Sequence, residues 1–390
     1  MTTAATRPSP RDVDPLALPD VLRPAIEAQR AEIESQRRLP SELVATLRAS
    51  GAFRIFTPRE YGGFESTLTD MVTVLEAIGH IDASVVWTMW NGNLGFFAVW
   101  LRDAGVAKIW DAQPDPIIVN STRLTGSATP AEDGYTLSGR WDIVTGVDAA
   151  DWIALFALVP PPGGSDDSEH PEVRVFCVPR DAVTVVDTWH VGGMRGTGSN
   201  SVVVDELFVP TELTNDVFAP FRIDRPLYRI PAFTLASTGG AGAVLGIARA
   251  AVDEIVELAG TKITEIGTPL GHGEHVQDAI GRAEAALRSA RLLLAAATGA
   301  IDDAAAAGDP ITEAMRAELR AAMSNAGEIS RTVLTSMYEL GGSSSLYTGN
   351  RLEQLFRDGL AGTQHGILGR AQFALAGRVR LGLDPQSPIF

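Results

Sequence analysis

Residues 189–210 combine glycine and hydroxyl side chains in a pattern that is typical of a ligand-binding turn. Arg195, Thr197, Gly198 and Ser199 lie together there, directly ahead of an apolar run. Glycine lets the backbone approach a ligand closely, and hydroxyl and backbone N–H groups offer hydrogen bonds to it. Such a stretch adds little to a hydrophobic core, so it indicates a bound polar molecule.

Two earlier segments repeat these residue types. Ser121 and Ser127 lie in a run rich in hydroxyl groups, and Trp141, Thr145 and Gly146 lie in the next segment along the chain. Hydroxyl-rich turns are common in proteins, so one segment alone would mean little. Three of them in succession predict a single site.

A fourth candidate is the segment of residues 359–366, where Gln364 and His365 lie among glycines. An imidazole has an unperturbed pKa of ~6.5, so it can act as a base or as a hydrogen-bond donor near neutral pH. From residue 359 to the end of the sequence the only acid is Asp384, so no carboxylate neighbours His365 along the chain. A single histidine on a helix is more often structural, and both interpretations stay open at this point.

Charge and composition restrict the partners. The chain has 48 acidic and 32 basic residues, a net charge of −16, which argues against nucleic acid or an anionic membrane surface as a partner. The first residues lack a signal-peptide pattern, and no run of ~18 uncharged apolar residues predicts a membrane span. Cys177 is the single cysteine and lies in an apolar run, where we expect a buried thiol and no disulfide. These features predict a cytoplasmic protein.

The elements that must position these residues change in character twice along the chain. Residues 1–16 predict a disordered tail, and residues 17–115 have the apolar spacing of a helical domain. Residues 116–230 contain short β-branched runs separated by turns, with an exposed loop at 161–171. Residues 231–390 predict a four-helix bundle, with long Ala-rich helices at 238–259, 275–307, 312–340 and 351–380. The fold class is therefore α+β and mostly helical.

Aromatic residues recur at helical spacing in residues 84–101, which predict one very apolar helix. Trp90, Asn91, Asn93 and Phe97 lie along it. Such a stripe usually belongs to a hydrophobic core. The alternative is that this helix forms a wall of a substrate pocket and that these four residues face the substrate.

The order of helical domain, β-domain and bundle, with the three hydroxyl-rich segments, resembles the acyl-CoA dehydrogenase superfamily. Within it, the chain is similar to the branch of two-component flavin-dependent monooxygenases. The resemblance implies a middle β-barrel or sandwich, a homotetramer, and a flavin held between the β-domain and the bundle. It implies flavin contacts from Ser121, Ser127, Trp141, Thr145, Gly146, Arg195, Thr197, Gly198, Ser199, Gly341, Gly342 and Gln364.

The last part of the bundle departs from the dehydrogenase pattern. The commonest acyl-CoA dehydrogenases carry a catalytic glutamate eight residues after the aspartate of an Arg-Asp pair. Arg357 and Asp358 match that pair, for which we favour a structural ion pair, but Gly366 occupies the position of the glutamate. A glycine cannot remove a proton. The monooxygenase branch has a histidine in this segment, and His365 matches it.

The chain differs from the monooxygenase pattern at Thr145, Gly95 and Ala149, and it matches the pattern at a loop near the end of the third bundle helix. Thr145 replaces a serine that passes the flavin N5 atom, and it keeps the hydroxyl group. Gly95 and Ala149 lie near positions where the branch often has histidine, which argues against a simple phenol as substrate. In relatives, a loop matching Gly341 and Gly342 meets the flavin of a neighbouring subunit.

The resemblance implies the oxygenase component of a two-component monooxygenase. A separate NAD(P)H:flavin reductase would supply reduced FMN or FAD. Reaction with O2 would give a C4a-hydroperoxyflavin that hydroxylates, or oxygenates at nitrogen or sulfur, a small organic substrate. His365, as base or peroxide stabiliser, and Thr145 are the expected catalytic residues, and no metal is expected.

Two alternatives keep the fold and change the function. The first is a flavoprotein dehydrogenase whose base has moved to an earlier bundle helix, with Glu254 and Glu257 as candidates. The second is a non-catalytic protein that binds a ligand in the same cleft. His272 and His275 have the spacing of metal ligands, but they lie in a predicted loop without further ligands, so a zinc site is disfavoured.

Overall fold

The computed structural model describes residues 14–160, 172–265 and 267–387. Most of the predicted tail at 1–16, and the whole predicted loop at 161–171, lie outside the described residues. In the described part of the chain, a first group of helices precedes a sheet, and a second group of helices follows it.

The N-terminal helices are α1 (Leu18–Gln36), α2 (Ser41–Ser50), α3 (Leu68–Ile81), α4 (Ala83–Gly92), α5 (Phe97–Trp100) and α6 (Asp103–Trp110). Capping side chains fix where two of them begin. Thr67 and Asp70 form a reciprocal capping box at the start of α3. The carboxylate of Asp82 accepts hydrogen bonds from the backbone N–H groups of Ser84 and Val85, which starts α4 directly after α3.

The prediction of one helix over 84–101 is wrong, because the chain leaves helical geometry between α4 and α5. The Asn93 side chain accepts a hydrogen bond from the Ile55 backbone at 2.8 Å. It also donates to the carbonyl groups of Ala52 and Met89, each at 2.8 Å. The buried amide therefore ties the break to the loop before α3, and both amide hydrogens of Asn93 are used within the protein.

The strands are β1 (Ile118–Ala131), β2 (Gly134–Trp141), β3 (Trp152–Val159), β4 (Glu172–Pro179), β5 (Thr184–Val186), β6 (Ser201–Pro210) and β7 (Thr214–Asp216). They form one sheet in the order β5-β6-β2-β1-β3-β4-β7, with β1 and β3 parallel and the other neighbours antiparallel. Six strands follow predicted runs. The short β7 has too few residues to show an alternating pattern, and the sequence did not predict it.

A bulge interrupts β1, the central strand of the sheet. In the pairing of β1 with β3, Ser121 lies opposite Leu155 and Gly126 lies opposite Ala157, so residues 122–125 have no partner in β3. Further along the sheet, Cys177 is fully buried as expected, and burial raises the pKa of its thiol.

The C-terminal helices are α7 (Pro226–Arg229), α8 (Ala232–Thr261), α9 (Glu274–Ala307), α10 (Glu313–Gly341), α11 (Arg351–Gly362) and α12 (Ala371–Arg380). The first three predicted bundle helices are confirmed, although α8 starts earlier than expected. The predicted fourth helix at 351–380 is wrong as one element. It is interrupted between α11 and α12, where His365 has extended backbone angles and a single 3-10 turn follows.

Helix α8 is the central packing element of the bundle. Its glycines admit neighbours closely: a β-carbon on Gly239 or Gly240 would lie 2.6 Å or 2.9 Å from the indole ring of Trp90. These glycines therefore serve close packing between α8 and α4. By length and composition α8 could cross a membrane, the one such helix in the described residues, but 89% of its most apolar window is buried inside the protein.

Candidate active site

A cavity of about 670 Å³ lies between the sheet, the first helices and the bundle. Aromatic side chains from α4, from α5 and from the sheet line this cavity. Hydroxyl and amide groups from β1 and from the break after α11 line it as well. Eight of the predicted site residues meet here: Trp90, Asn91, Phe97, Ser121, Thr145, Ser199, Gln364 and His365. Segments far apart in the sequence therefore converge on one space.

The charge of the cavity wall is opposite to that of the whole chain. Among the described residues, no aspartate or glutamate lines the cavity, whereas Arg123 and Arg320 do. The chain as a whole carries a net charge of −16. The cavity therefore favours neutral or anionic molecules, and it offers no carboxylate that could remove a proton from a ligand.

The hydroxyl groups on the sheet side form a continuous chain. Thr145 Oγ1 lies 2.9 Å from Ser199 Oγ, and Ser199 Oγ lies 2.7 Å from Thr197 Oγ1. Thr197 Oγ1 in turn donates to the carbonyl oxygen of Met194 at 2.9 Å. The three hydroxyl residues are each at most 3% exposed, so water does not compete for these hydrogen bonds.

His365 lies on the opposite side of the cavity, in the break after α11. Its ring packs edge-to-face against Trp90 and Trp87, with centroid distances of 5.2 and 5.9 Å. Desolvation by the surrounding walls and, to a smaller extent, the positive charge of Arg123 together lower the pKa of His365 to about 4. The side chain is exposed where it lines the cavity, and the lowered pKa keeps the imidazole neutral near pH ~7.

The backbone also determines which nitrogen of His365 carries the proton. The Nδ1 atom accepts a hydrogen bond from the backbone N–H of Ile367 at 3.4 Å. In a neutral imidazole one nitrogen accepts and the other carries hydrogen, so Nε2 carries it here. His365 is therefore arranged as a hydrogen-bond donor through Nε2.

Several predicted residues of the β-domain lie behind the cavity wall. Trp141 is fully buried and donates to the Phe156 carbonyl at 2.8 Å, so it fills the core of the sheet. Ser127 is exposed on β1 outside the cavity. Gly146 and Gly198 have positive φ angles of 74° and 53°, which shape the turns that present the hydroxyl chain.

Arg195 and the pair Gly341 and Gly342 also lie outside the cavity. Arg195 points to α1, where its Nε lies 3.2 Å from the carboxylate of Glu34. Gly341 and Gly342 end α10, and Lys262 donates to the Gly341 carbonyl at 2.8 Å. Their expected contact with a neighbouring subunit's flavin stays a prediction.

Asp358 has a contact that the sequence did not reveal. Its carboxylate accepts a hydrogen bond from the Met194 backbone N–H at 2.7 Å and fixes the left-handed turn, φ 55°, at that residue. Burial raises the pKa of Asp358 to about 7, although the Met194 N–H acts in the other direction. Arg357 pairs with Glu353 at 2.6 Å and with Glu34 at 3.4 Å, so the expected Arg357–Asp358 ion pair is not formed.

The alternative catalytic bases do not reach the cavity. Glu254 and Glu257 are absent from its wall, and the positive charges nearest to Glu254 belong to Arg351 and Arg30. Within the described residues, no group of three potential metal ligands forms around His272 and His275 or elsewhere. Arg123, in the bulge of β1, lines the cavity but was not predicted as a site residue. Its positive charge within a hydroxyl-rich run was the one signal in the sequence.

The described chain is mostly helical and has one central mixed sheet. A cavity lined by hydroxyl groups and aromatic side chains lies between the sheet and the bundle. This is the fold class of the acyl-CoA dehydrogenases. Residues 18–105 match the N-terminal domain of acyl-CoA dehydrogenase, and residues 238–370 match its C-terminal domain. The chain therefore belongs to the acyl-CoA dehydrogenase family.

Its named relatives are monooxygenases. The chain is 28% identical to indole-3-acetate monooxygenase from Pseudomonas putida, over 92% of this chain and 91% of that protein. It is 27% identical to the oxygenase subunit HsaA of a flavin-dependent monooxygenase from Rhodococcus jostii (strain RHA1), over 89% and 92% of the two chains. The structure of XiaF from Streptomyces sp. in complex with FADH2 and glycerol superposes with a TM-score of 0.89, 27% identity and 96% coverage of both chains.

Proposed function

We propose that this protein is the oxygenase component of a two-component flavin-dependent monooxygenase, acting on a small aromatic substrate with reduced flavin and O2. The observation that carries this proposal is the cavity wall. It presents His365 and no carboxylate among the described residues, so the proton abstraction of an acyl-CoA dehydrogenase has no base there.

The residues present fit a flavin. The sheet side offers the polar groups that a flavin ring can bind, from Ser121, Thr145 and Ser199, next to the apolar side chains of Trp189 and Met194. These five residues would hold the ring. When bound, reduced flavin supplies the two electrons that activate O2, so that one oxygen atom enters the substrate and the other leaves as water.

His365 would act as a donor rather than as a base. Its Nε2–H is free to donate to an oxygen atom in the cavity, whereas Nδ1 already accepts from Ile367. A preorganised donor in a dry site typically lowers a barrier by ~3–4 kcal/mol. Trp87, Trp90 and Phe97 line this part of the cavity and exclude water from it.

The cavity favours an aromatic substrate that is neutral or carries an acidic group. Aromatic walls match a planar apolar ring, and Arg123 offers a positive charge to an anion. The relative named indole-3-acetate monooxygenase is consistent with this class. We therefore choose indole-3-acetate as the first substrate to test.

FADH2 is the proposed form of the cofactor, because XiaF is described with FADH2 and a relative is named an FADH(2)-dependent resorcinol hydroxylase. A separate NAD(P)H:flavin reductase would supply it in the cytoplasm. A homotetramer is part of the proposal, because large apolar side chains are exposed on the bundle, namely Leu292 (60%), Val256 (50%), Leu346 (68%) and Tyr347 (70%).

The decisive experiment mixes the protein with anaerobically reduced FAD and then with O2 in a stopped-flow spectrophotometer, with and without indole-3-acetate. We expect flavin re-oxidation to differ from that of free FADH2, and H2O2 release to be delayed. Re-oxidation kinetics identical to those of free flavin would overturn the proposal. Bleaching of bound oxidised flavin by butyryl-CoA would favour a dehydrogenase instead.

A further inference from the structure

Asn91 brings a polar side chain into the most aromatic part of the cavity wall. Among the described residues of α4 and α5 that line the cavity, it is the only one without an aromatic ring. Tryptophan offers an N–H donor but no acceptor, and phenylalanine offers neither. The Asn91 amide is therefore the one side-chain group of these two helices that can accept a hydrogen bond from a ligand.

A backbone carbonyl fixes the orientation of this amide. Asn91 Nδ2 donates to the Trp87 carbonyl at 2.9 Å, and because a carbonyl oxygen can only accept, the nitrogen must face it and Oδ1 must point elsewhere. Oδ1 has no hydrogen-bond partner among the described residues, and the side chain is half-buried where it lines the cavity. Asn93 is the opposite case, since its Oδ1 accepts from the Ile55 N–H.

A second amide, that of Asn120 on β1, lies beside the first. Its Nδ2 donates to the Asn91 backbone carbonyl at 3.5 Å, and its Oδ1 also has no partner among the described residues. A β-bridge between Asn93 and Ile118 holds the end of α4 against the start of β1. Asn91 and Asn120, here called the amide pair, both line the cavity at this junction.

The amide pair lies close to the imidazole that the proposed reaction uses. Asn91 follows Trp87 by four residues, so the two side chains share one face of α4. The Trp87 ring in turn packs edge-to-face on His365, with a centroid distance of 5.9 Å. A ring held at Asn91 therefore lies about one helical turn, ~5.4 Å along α4, from the side chain that contacts His365.

We infer that Asn91 and Asn120 are specificity-determining residues that select aromatic substrates carrying a ring N–H or O–H group, by accepting its hydrogen bond. The inference rests on the proposed function and deepens it, since it names the group of the substrate that the cavity recognises. A substrate without such a donor leaves the amide oxygens unpaired in an aromatic cavity from which it has displaced water, and this lowers its affinity.

The test compares two ligands that differ in this group alone. Indole-3-acetate carries a ring N–H, and 1-benzothiophene-3-acetate has sulfur in its place. Their dissociation constants are measured anaerobically by calorimetry, on the protein loaded with FADH2. The wild type should bind indole-3-acetate about fivefold to tenfold more tightly, the usual worth of one hydrogen bond. Asn91→Leu keeps a side chain of similar shape and should lose this preference by losing affinity for indole-3-acetate, and Asn120→Leu should reduce it.

Asn215→Leu is the matched control. Asn215 Nδ2 donates to the Trp100 carbonyl at 3.0 Å, as Asn91 Nδ2 does to the Trp87 carbonyl, but Asn215 does not line the cavity. This variant loses the same kind of support for an aromatic wall and should keep the wild-type preference. Binding of 1-benzothiophene-3-acetate by Asn91→Leu with wild-type affinity would show that its cavity is intact.

The outcomes separate this inference from the proposed function. If the wild type binds FADH2 but binds the two ligands equally, or binds neither, the inference is wrong and the stopped-flow experiment still decides the proposed function. If Asn91→Leu loses affinity for both ligands alike, or for FADH2, then Asn91 supports the wall or the cofactor and the inference is wrong. If the wild type does not bind FADH2, both the inference and the proposed function fail.

Discussion

The two sides of the cavity are built in different ways. On the sheet wall, Thr145 and Ser199 are buried and hydrogen-bonded to other protein groups. On the helix wall, His365 follows the end of α11 and is held by one long hydrogen bond from Ile367. Polar groups that are hydrogen-bonded within the protein suit recognition of a rigid ring, and a donor whose N–H is open to the cavity suits a reacting atom.

The two walls also differ in the charged groups that they contain. The helix wall keeps its imidazole neutral by enclosure between Trp87 and Trp90, and no carboxylate among the described lining residues could protonate or pair with it. The sheet wall combines buried hydroxyl groups with one positive charge among its described lining residues, that of Arg123 in the bulge of β1. Asp358 lies behind this wall, does not line the cavity, and accepts a hydrogen bond from the backbone of Met194.

The largest effect is expected for the helix wall. His365→Ala removes the Nε2 donor and should reduce coupled product about 100-fold, the usual cost of one such donor, while FADH2 affinity stays the same. Product and H2O2 are measured together during turnover with indole-3-acetate. His365→Gln keeps a donor and should recover part of the loss. Unchanged coupling in His365→Ala would remove His365 from the reaction.

The pH dependence of product formation gives a second test of the role of His365. The pKa of His365 is lowered to about 4, so the imidazole stays neutral throughout the neutral range. Coupled product should be constant between about pH ~6 and ~8 and fall only as the pH approaches that pKa. A step in coupling near pH ~6.5, the unperturbed value, would show that the ring is not enclosed as described.

On the sheet wall, Thr145→Val removes the acceptor and should weaken FADH2 binding about fivefold to tenfold, since one hydrogen bond is worth ~1 kcal/mol. Thr145→Ser keeps the oxygen atom and serves as the matched control. Binding is measured anaerobically by flavin fluorescence. Equal affinities of wild type and Thr145→Val would mean that this hydroxyl group does not contact the flavin.

Asp358, behind the sheet wall, should make stability depend on pH. Its pKa is about 7 in the folded state and ~3.9 in an unfolded chain, so between these values the folded state binds more protons. Its contribution to the free energy of unfolding therefore falls as the pH rises from about ~4 to ~7. Asp358→Asn keeps an acceptor for Met194 and should remove this fall.

Denaturant unfolding of wild type and Asp358→Asn at about pH ~5 and ~8 checks the sign. Relative to wild type, Asp358→Asn should gain stability on going to the higher pH. Asp384→Asn, at an exposed position, is the control and should not. A parallel pH dependence for Asp358→Asn and wild type would show that the Asp358 carboxyl does not titrate in this range.

The smallest effect is expected for Arg195, which was predicted to bind flavin but pairs with Glu34 at 3.2 Å. Partly exposed ion pairs contribute ~0–1 kcal/mol, so Arg195→Met should change stability slightly and FADH2 affinity less than about twofold. Equilibrium binding measures this. A tenfold loss of affinity would show that Arg195 contacts the cofactor outside the cavity.

Much of the cavity could be predicted from the sequence because its residues lie in local patterns. Ser121, Thr145 and Ser199 each lie in one of the three hydroxyl-rich segments, and His365 lies among glycines after a helix. The helical and β-strand periods gave the order of the elements. Residue types and local spacing were sufficient to identify these residues as lining one cavity.

The remaining features depend on partners that are distant along the chain. Asn93 was placed in the pocket, but its amide bonds Ile55 and Ala52, which precede it by about 40 residues. Met194 and Asp358 meet across 164 positions. No periodicity carries such information, so a polar residue that serves a loop cannot be told from one that serves a ligand.

Trp90 donates to the Ala236 carbonyl at 2.8 Å and rests in the recess left by Gly239 and Gly240. The indole ring thus separates the cavity from α8, and its position depends on the absence of side chains at these two glycines. Alanine at either position would push the indole ring toward the cavity and reduce the cavity's volume. The size of the molecule that the cavity admits can therefore be adjusted at Gly239 and Gly240, which do not line the cavity themselves.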